Sequence, residues 1–356
     1  MDIEEPIDSP LISLDSNYSL QGCQVNKGFT YRYLPTVYLT VCLVGILANG
    51  LGLWNLCTNW KKWNGLNVLV CNLGVADLLY VITLPFLASY YINGGKWTFG
   101  LEFCRLTRCL FNANLYASIG FLTCISIQRY LGIVHPMRMI GRLHTKRCSL
   151  FVSAAVWAWV LIQIFPDLLF SKSNENATHC YDSTGNESLD KYLPYSFTVM
   201  VTGFAVPFLV ILGCYSHVLV VLAKNQSVDA TLKRRSIKLV VIVMVLFSVC
   251  FFPYHLFRNL NLLARRWHLR GTCTRTSKNI YLAYQLTRGM ACMNSAINPL
   301  VYLVTNENFV MKFRTLSKRA WQSFSDMQTG RLRKQYDRKK LNIISCEERC
   351  EDSGFL

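Results

Sequence analysis

The residues best suited to chemistry are arginines set where an apolar chain should avoid them. Arg108, Arg258 and Arg288 fall within long apolar runs, and Arg265 lies just past the end of one. His255 and Arg258 stand three apart, hence on one face of a helix. Tyr281, Tyr284 and Gln285 shortly precede Arg288. Guanidinium forks suit bidentate capture of phosphate or carboxylate, and tyrosine rings offer a face to an aromatic base. One such arginine can snorkel to lipid headgroups, but arginines at the ends of three segments are harder to explain so. A second candidate centre is Asp77, with Asn49, Ser118, Asn294 and Asn298 at comparable depth in other runs. A buried ionisable group in a membrane span marks function, and this set is expected to hold a sodium ion or a proton. No other cofactor is expected. The histidines are scattered, no metal spacing recurs and no nucleophile–base pair is suggested, which argues against an enzyme.

The elements that position these residues are membrane helices. The chain has 356 residues, 52% hydrophobic and 16% charged, against about a quarter charged in soluble domains. Runs near 34–58, 67–91, 104–134, 147–170, 194–223, 236–263 and 279–304 each reach the roughly 20 residues that cross a bilayer. The expected fold is an all-α bundle of seven transmembrane helices. Pro85, Pro166, Pro207, Pro253 and Pro299 lie within the runs, which membrane helices tolerate because neighbours satisfy the freed carbonyls. Residues 308–319 alternate apolar and basic at helical spacing, reading as a short amphipathic helix on the inner leaflet. The organisation expected is an outer segment 1–33, a membrane domain 34–304, a juxtamembrane helix 305–320 and a cytoplasmic tail 321–356. No internal repeat is visible, which argues against repeat-built transporters; a channel or transporter is the remoter alternative.

Charge sets the orientation. Lys61, Lys62, Arg138, Arg142, Lys146, Arg147, Lys224, Lys233, Arg234 and Arg235 share one side, which the positive-inside rule makes cytoplasmic. The N-terminus is then extracellular, in a multi-pass plasma-membrane protein. It lacks the pattern of a cleaved signal peptide, so the first span is expected to act as an uncleaved anchor. Glycosylation acceptors at Asn17, Asn176 and Asn186 fall on the same outer face. The net charge of +17 is spread between apolar spans rather than over one basic domain, which argues against a nucleic acid polymer as partner. One outer loop breaks the pattern with Arg265, Arg266, Arg270, Arg275 and Lys278. It is either a solvated charge run or an electrostatic funnel for an anion. Most of the fifteen cysteines sit in apolar runs, and Cys346 and Cys350 lie far down the tail. Cys23, Cys104, Cys180 and Cys273 are on the outer face and allow three pairings. The two ends of a closed ring of helices are neighbours, which favours Cys104–Cys180 with Cys23–Cys273.

An ordered set of motifs runs through all seven spans. It comprises Asn49, Leu73 to Asp77, Gln128-Arg129-Tyr130, Trp157, Pro207 with Tyr215, Phe247 with Pro253, and Asn298-Pro299-Leu300-Val301-Tyr302. Here the chain resembles the rhodopsin-like receptors. The resemblance implies a receptor that activates heterotrimeric G proteins, with arrestin and membrane lipids as further partners. It implies that Tyr215 and Tyr302 meet Arg129 when the sixth helix swings outward, and that Arg129 with the loop around Met137 engages the G protein. Pro207, Ile119 and Phe247 would form the repacking switch. Phe251 stands where many relatives have tryptophan, and Gln128 where the family usually has an acid. Without that carboxylate Arg129 lacks an adjacent ion pair, so ligand-free signalling should exceed that of a Gln128→Asp variant.

The outer segments are more specific. Phe252-Pro253-Tyr254-His255-Leu256-Phe257-Arg258, the stretch from Asn261 to Arg265, the run from Tyr281 to Arg288, Cys180-Tyr181-Asp182-Ser183-Thr184 and Asn114-Leu115-Tyr116 resemble the metabotropic nucleotide receptors, most closely their ADP-responsive branch. Carried over, Arg108, Arg258, Arg265 and Arg288 would meet phosphates, and Gln285, Tyr281 and Tyr284 would hold base or sugar. Asp182 would pair with Arg288 in the empty site, and coupling would run to phospholipase C and calcium. Asn112 stands where relatives often have histidine, and Asn298 where the branch commonly has aspartate. His255, Tyr116 and Asn112 complete the expected ligand set. The succinate and oxoglutarate receptors share the arginine scaffold, making a dicarboxylate the alternative ligand; Gln285, Asn261 and the second-loop run favour a nucleotide.

Overall fold

The computed structural model describes residues 27–58, 61, 63–135, 145–170, 178–224, 230–271 and 275–301, and single positions 315, 318, 321, 322 and 325. Every regular element among them is helical. The chain divides into a unit ending at Thr305 and a second from Asn306 onward. The described positions of the second unit are helical and exposed, and most of the amphipathic stretch expected at 308–319 lies outside the described residues.

Six helical stretches are long and apolar enough to cross a membrane: Gly28–Thr58, Gly65–Ile92, Leu101–Val134, Lys146–Leu169, Leu189–Lys224 and Ser236–Leu269. A further helix, Arg275–Ile297, occupies the seventh expected position but is too polar to stand among those six. It buries Gln285, Thr287, Arg288, Asn294 and Ser295. A helix walled by protein can carry polar side chains that lipid would exclude, provided neighbours supply partners. The seventh helix packs against the first and sixth, and the third against the second, fourth and fifth. The most apolar stretch of the third is 72% buried and that of the fourth 33%, so the third forms the axis of the bundle.

Prolines set the irregularities. The second span is interrupted at Ile82 and Thr83, just ahead of Pro85, and Thr83 Oγ1 donates to the Tyr80 carbonyl at 2.7 Å. The fifth and sixth spans each contain a π-helical segment, Val201–Ala205 and Leu246–Phe251, immediately before Pro207 and Pro253. A proline ring removes one donor and crowds the preceding turn, and a widened turn relieves it; such bulges often sit at functional sites. Gly203, in the first of them, leaves room for Tyr116: a Cβ there would lie 2.9 Å from its ring.

The fifth and sixth helices extend further outward than hydropathy indicates. The fifth starts at Leu189, and Leu189, Tyr192 and Leu193 pack on Leu262 of the sixth, with Phe170, Tyr195 and Leu263 around them. Arg266 reaches Asp190 at 2.7 Å across the same contact. These turns are amphipathic and gain stability from that packing, which a search for continuous apolar runs does not register.

Candidate functional site

The second outer loop delivers the first element of the site. Cys180 is disulfide-bonded to Cys104 at the head of the third span. His179 Nδ1 lies 2.7 Å from the Gly95 carbonyl, and the Trp97 amide donates to Thr178 at 2.7 Å. So pinned, the loop lays Asp182 over the mouth of the bundle. Cys23 and Cys273, the other expected pair, lie outside the described residues, as do Asn17 and Asn176. Asn186 is exposed.

Beneath the loop lies a cavity of about 460 Å³, within the range of small-ligand sites. Asp182, Asn261, Arg265, Tyr281, Tyr284, Gln285 and Arg288 all line it. Arg288 Nη1 meets Asp182 Oδ2 at 2.5 Å, and the Tyr284 hydroxyl donates to the same oxygen at 2.7 Å. Arg288 also donates to the Tyr91 hydroxyl and stands 5.2 Å from the centre of that ring. Burial alone would raise the Asp182 carboxyl; the guanidinium groups of Arg288 and Arg108 and the Tyr284 hydroxyl outweigh it and hold the group well below the usual carboxylate range. Arg265 is clasped by the loop, donating to Ser183 Oγ at 3.0 Å, the Thr184 carbonyl at 2.9 Å and Asn186 Oδ1 at 2.8 Å.

The remaining expected ligand residues are placed differently. Arg108, His255, Arg258, Asn112 and Tyr116 do not line this cavity. Arg108 is buried and gives Nη2 to the Cys180 carbonyl at 2.9 Å. His255 is buried with its ring stacked on Phe204 at 4.8 Å. Arg258 donates to the hydroxyls of Tyr116 and Tyr192 at 3.2 and 2.7 Å. Asn112 donates to Asp167 at 2.9 Å. Helical phase alone aims these side chains inward, but the fourth and fifth helices supply acceptors that phase does not reveal.

Several lining residues carry no sequence signal that the arginine pattern could have exposed. Lys27, Thr30, Tyr31, Tyr90, Tyr91 and Tyr181 complete the wall. Tyr90 and Tyr91 end the second span and read, in sequence, as interfacial aromatics.

In mid-membrane, Asp77 is fully buried and bonded only by neutral donors in the described contacts. Asn114 Nδ2 donates to Oδ1 at 2.8 Å, and Asn298 Nδ2 lies 3.1 and 3.0 Å from the two carboxylate oxygens. Asn298 Nδ2 is also 3.2 Å from both Ser118 Oγ and Asn294 Oδ1. Four oxygens therefore surround one nitrogen that has two hydrogens to give. Asn114 and Ser295 join the cluster, Ser295 Oγ donating to Asn114 Oδ1 at 3.0 Å. Asn49 instead bonds the Gly45 and Ser295 carbonyls at 3.0 and 2.8 Å, tying the first span to the seventh rather than reaching Asp77.

Deeper still, Phe247 and Phe251 meet edge to face at 5.1 Å, and Phe247 stacks on Phe208 and Phe204 at 5.8 and 6.1 Å. Ile119 is fully buried, and Pro207 is buried too. Towards the cytoplasmic end Tyr215 shares a 2.6 Å hydrogen bond with Ser126, and Tyr130 lies 3.2 Å from His217 Nδ1. Gln128 donates to Ser149 at 3.1 Å, so the residue in place of the usual acid ties the third span to the fourth. Tyr302 and Met137 lie outside the described residues.

A bundle of membrane helices with an arginine-lined outer cavity and a buried polar relay is the plan of a transmembrane receptor. The profile described as "7 transmembrane receptor (rhodopsin family)" matches residues 48–302, and the chain belongs to that family. It is a multi-pass plasma-membrane signalling receptor, not an enzyme. Within the family it belongs with the Y-class purinoceptors. It is 39% identical to the Y-class purinoceptor 1 of Gallus gallus, over 91% of this chain and 89% of that one. It is 38% identical to the Y-class purinoceptor 1 of Homo sapiens, over 90% and 86%. It is 36% identical to the Y-class purinoceptor 4 of Xenopus laevis, over 84% and 56%.

Proposed function

We propose that this receptor binds an extracellular nucleotide, of the ADP or ATP type, and activates heterotrimeric G proteins through the phospholipase C and calcium pathway. The observation that carries the reading is the cavity itself, where Arg288 and Arg265 face tyrosine rings and the amides of Gln285 and Asn261. Phosphates would displace Asp182 from Arg288 and the loop from Arg265, while Tyr281, Tyr284 and Gln285 hold base or sugar. The Asp182–Arg288 pair keeps the empty site charge-balanced, and its replacement by ligand draws the seventh helix, sixth helix and second loop together. Binding that differs between two states shifts the population toward the signalling one, with Ile119, Pro207, Phe247 and Phe251 repacking below. Arg129 and Tyr302 would then engage the G protein, with arrestin and inner-leaflet lipids as later partners. The N-terminus lies outside the cell, and Asn17, Asn176 and Asn186 carry glycans there.

A sodium ion is the further ligand proposed for the resting state. The oxygens of Asp77, Ser118 and Asn294 converge with the Asn298 side chain on one buried point, a donor set of carboxylate, hydroxyl and amide carbonyl that fits a hard monovalent cation. Its charge would neutralise Asp77 and hold the third and seventh helices to the second.

The test is intracellular calcium and cyclic AMP in cells expressing the chain, given ADP, ATP, UDP, UTP, succinate or 2-oxoglutarate. A nucleotide response abolished by Arg288→Ala is expected. A response to the dicarboxylates alone would overturn the ligand assignment.

A further inference from the structure

Arg258 is a residue in the wrong place for its surroundings. It lies one turn below Asn261 and two turns below Arg265 in the helix Phe252–Leu269, and spacings of three and seven put all three on one face. Asn261 and Arg265 line the outer cavity. Arg258 does not, because its guanidinium is turned toward the third and fifth spans, with only 4% of the residue exposed.

What holds it there is an acid one hydrogen bond further on. Arg258 Nη2 donates to the Tyr192 hydroxyl at 2.7 Å, and that hydroxyl donates to Asp167 Oδ1 at 2.9 Å. Asn112 fixes the other carboxylate oxygen at 2.9 Å. Asp167 and Tyr192 are 1% and 0% exposed. Tyr192 cannot serve both partners by chance: its single proton is committed to Asp167, which leaves its oxygen lone pairs for Arg258. A carboxylate polarises the bridging hydroxyl and so strengthens the bond the guanidinium makes to it. The contrast with Arg288 is direct. Arg288 pairs with an acid on a solvent-facing loop, whereas Arg258 is bridged to one sealed inside the bundle.

We propose that Asp167 is a positioning residue that sets the receptor's preference for ligand charge. Acting through Tyr192, it holds Arg258 out of the cavity and caps the number of guanidinium groups a ligand can engage. Without that charge Arg258 turns toward the face its helical position already shares with Asn261 and Arg265, adding a cation to the cavity floor. The inference rests on the anionic-nucleotide reading above.

The experiment compares Asp167→Asn with the unsubstituted receptor in competition binding and calcium response to adenosine mono-, di- and triphosphate. Surface expression is measured alongside. The substitution keeps shape and one acceptor while removing the charge. Expected is about a tenfold gain in apparent affinity for the triphosphate, shrinking as phosphates are removed and vanishing in an Arg258→Gln background. Tyr192→Phe, which breaks the same bridge, should shift affinity in the same direction. A merely structural role predicts equal losses for all ligands and effects that add to Arg258→Gln; either result overturns the proposal, as does unchanged affinity. Retention of both variants inside the cell would make Asp167 a folding residue and overturn it too. If the unsubstituted receptor ignores every nucleotide, both this inference and the nucleotide reading fall; if it responds but Asp167→Asn leaves charge preference intact, only this inference does.

Discussion

Two polar centres sit inside this apolar bundle, and they are built on opposite plans. The outer cavity balances charge with charge: Arg288 against Asp182 at 2.5 Å, across the seventh helix and a loop. The mid-membrane centre surrounds one carboxylate, Asp77, with amides and hydroxyls from the third and seventh helices. In the cavity, arginines outnumber the acid that answers them, so an incoming anion can replace Asp182 without leaving a cation bare. At Asp77 no guanidinium is in reach among the described contacts, so the centre suits a cation or a proton. The lesson is that exposure to water decides which kind of partner a buried charge can exchange. An open mouth trades one anion for another, whereas a sealed site accommodates only something small.

The largest effect should come from breaking the outer pair. Arg288→Ala leaves Asp182 half-buried without its guanidinium, and truncating one member of such a pair costs about 2–5 kcal/mol. Nucleotide potency should fall by roughly a hundredfold or more at unchanged surface expression. A shift under about threefold would remove Arg288 from the binding site.

Next is the sealed centre. If Asp77 exchanges a cation, agonist affinity should differ between sodium and a large organic cation by about fivefold or more, and Asp77→Asn should flatten that difference. Equal sodium dependence in the variant would dissolve the contrast between the centres.

Smaller effects sharpen the comparison. Gln128→Asp should lower ligand-free G-protein activation by a few-fold, because it gives Arg129 a neighbouring carboxylate in place of the Gln128–Ser149 bond. Equal basal activity would show that the amide restrains the resting state as well as an acid does.

The smallest concerns pH. The Asp182 carboxyl is depressed by its neighbours. A depressed acid contributes stability that is complete above its unfolded pKa of about 3.9 and is lost only as pH falls below that towards the folded value. Asp182→Asn should therefore reduce melting temperature equally at about pH 8 and about pH 5.5. A difference that closes by pH 5.5 would mean the carboxyl is not depressed.

Much of this receptor was legible in its sequence because membranes enforce simple rules. Apolar length marked six spans, and their order with the Asn49, Asp77, Arg129 and Asn298-Pro299 motifs marked the seventh, which composition alone would have missed. Those signals are local, set by the cost of an unsatisfied backbone or charge in lipid. They also picked out Arg288, Gln285, Tyr284 and Asp182 as cavity residues. What sequence could not decide is where each long side chain turns. Arg258 and Arg265 share a helix face, yet Arg265 walls the cavity and Arg258 turns inward, because Tyr192 and Asp167 arrive from other helices. Asp167 itself looked like one acid near a proline. A guanidinium has several rotatable bonds and takes the acceptors it meets, so its partner is a property of how helices pack, not of the segment that carries it.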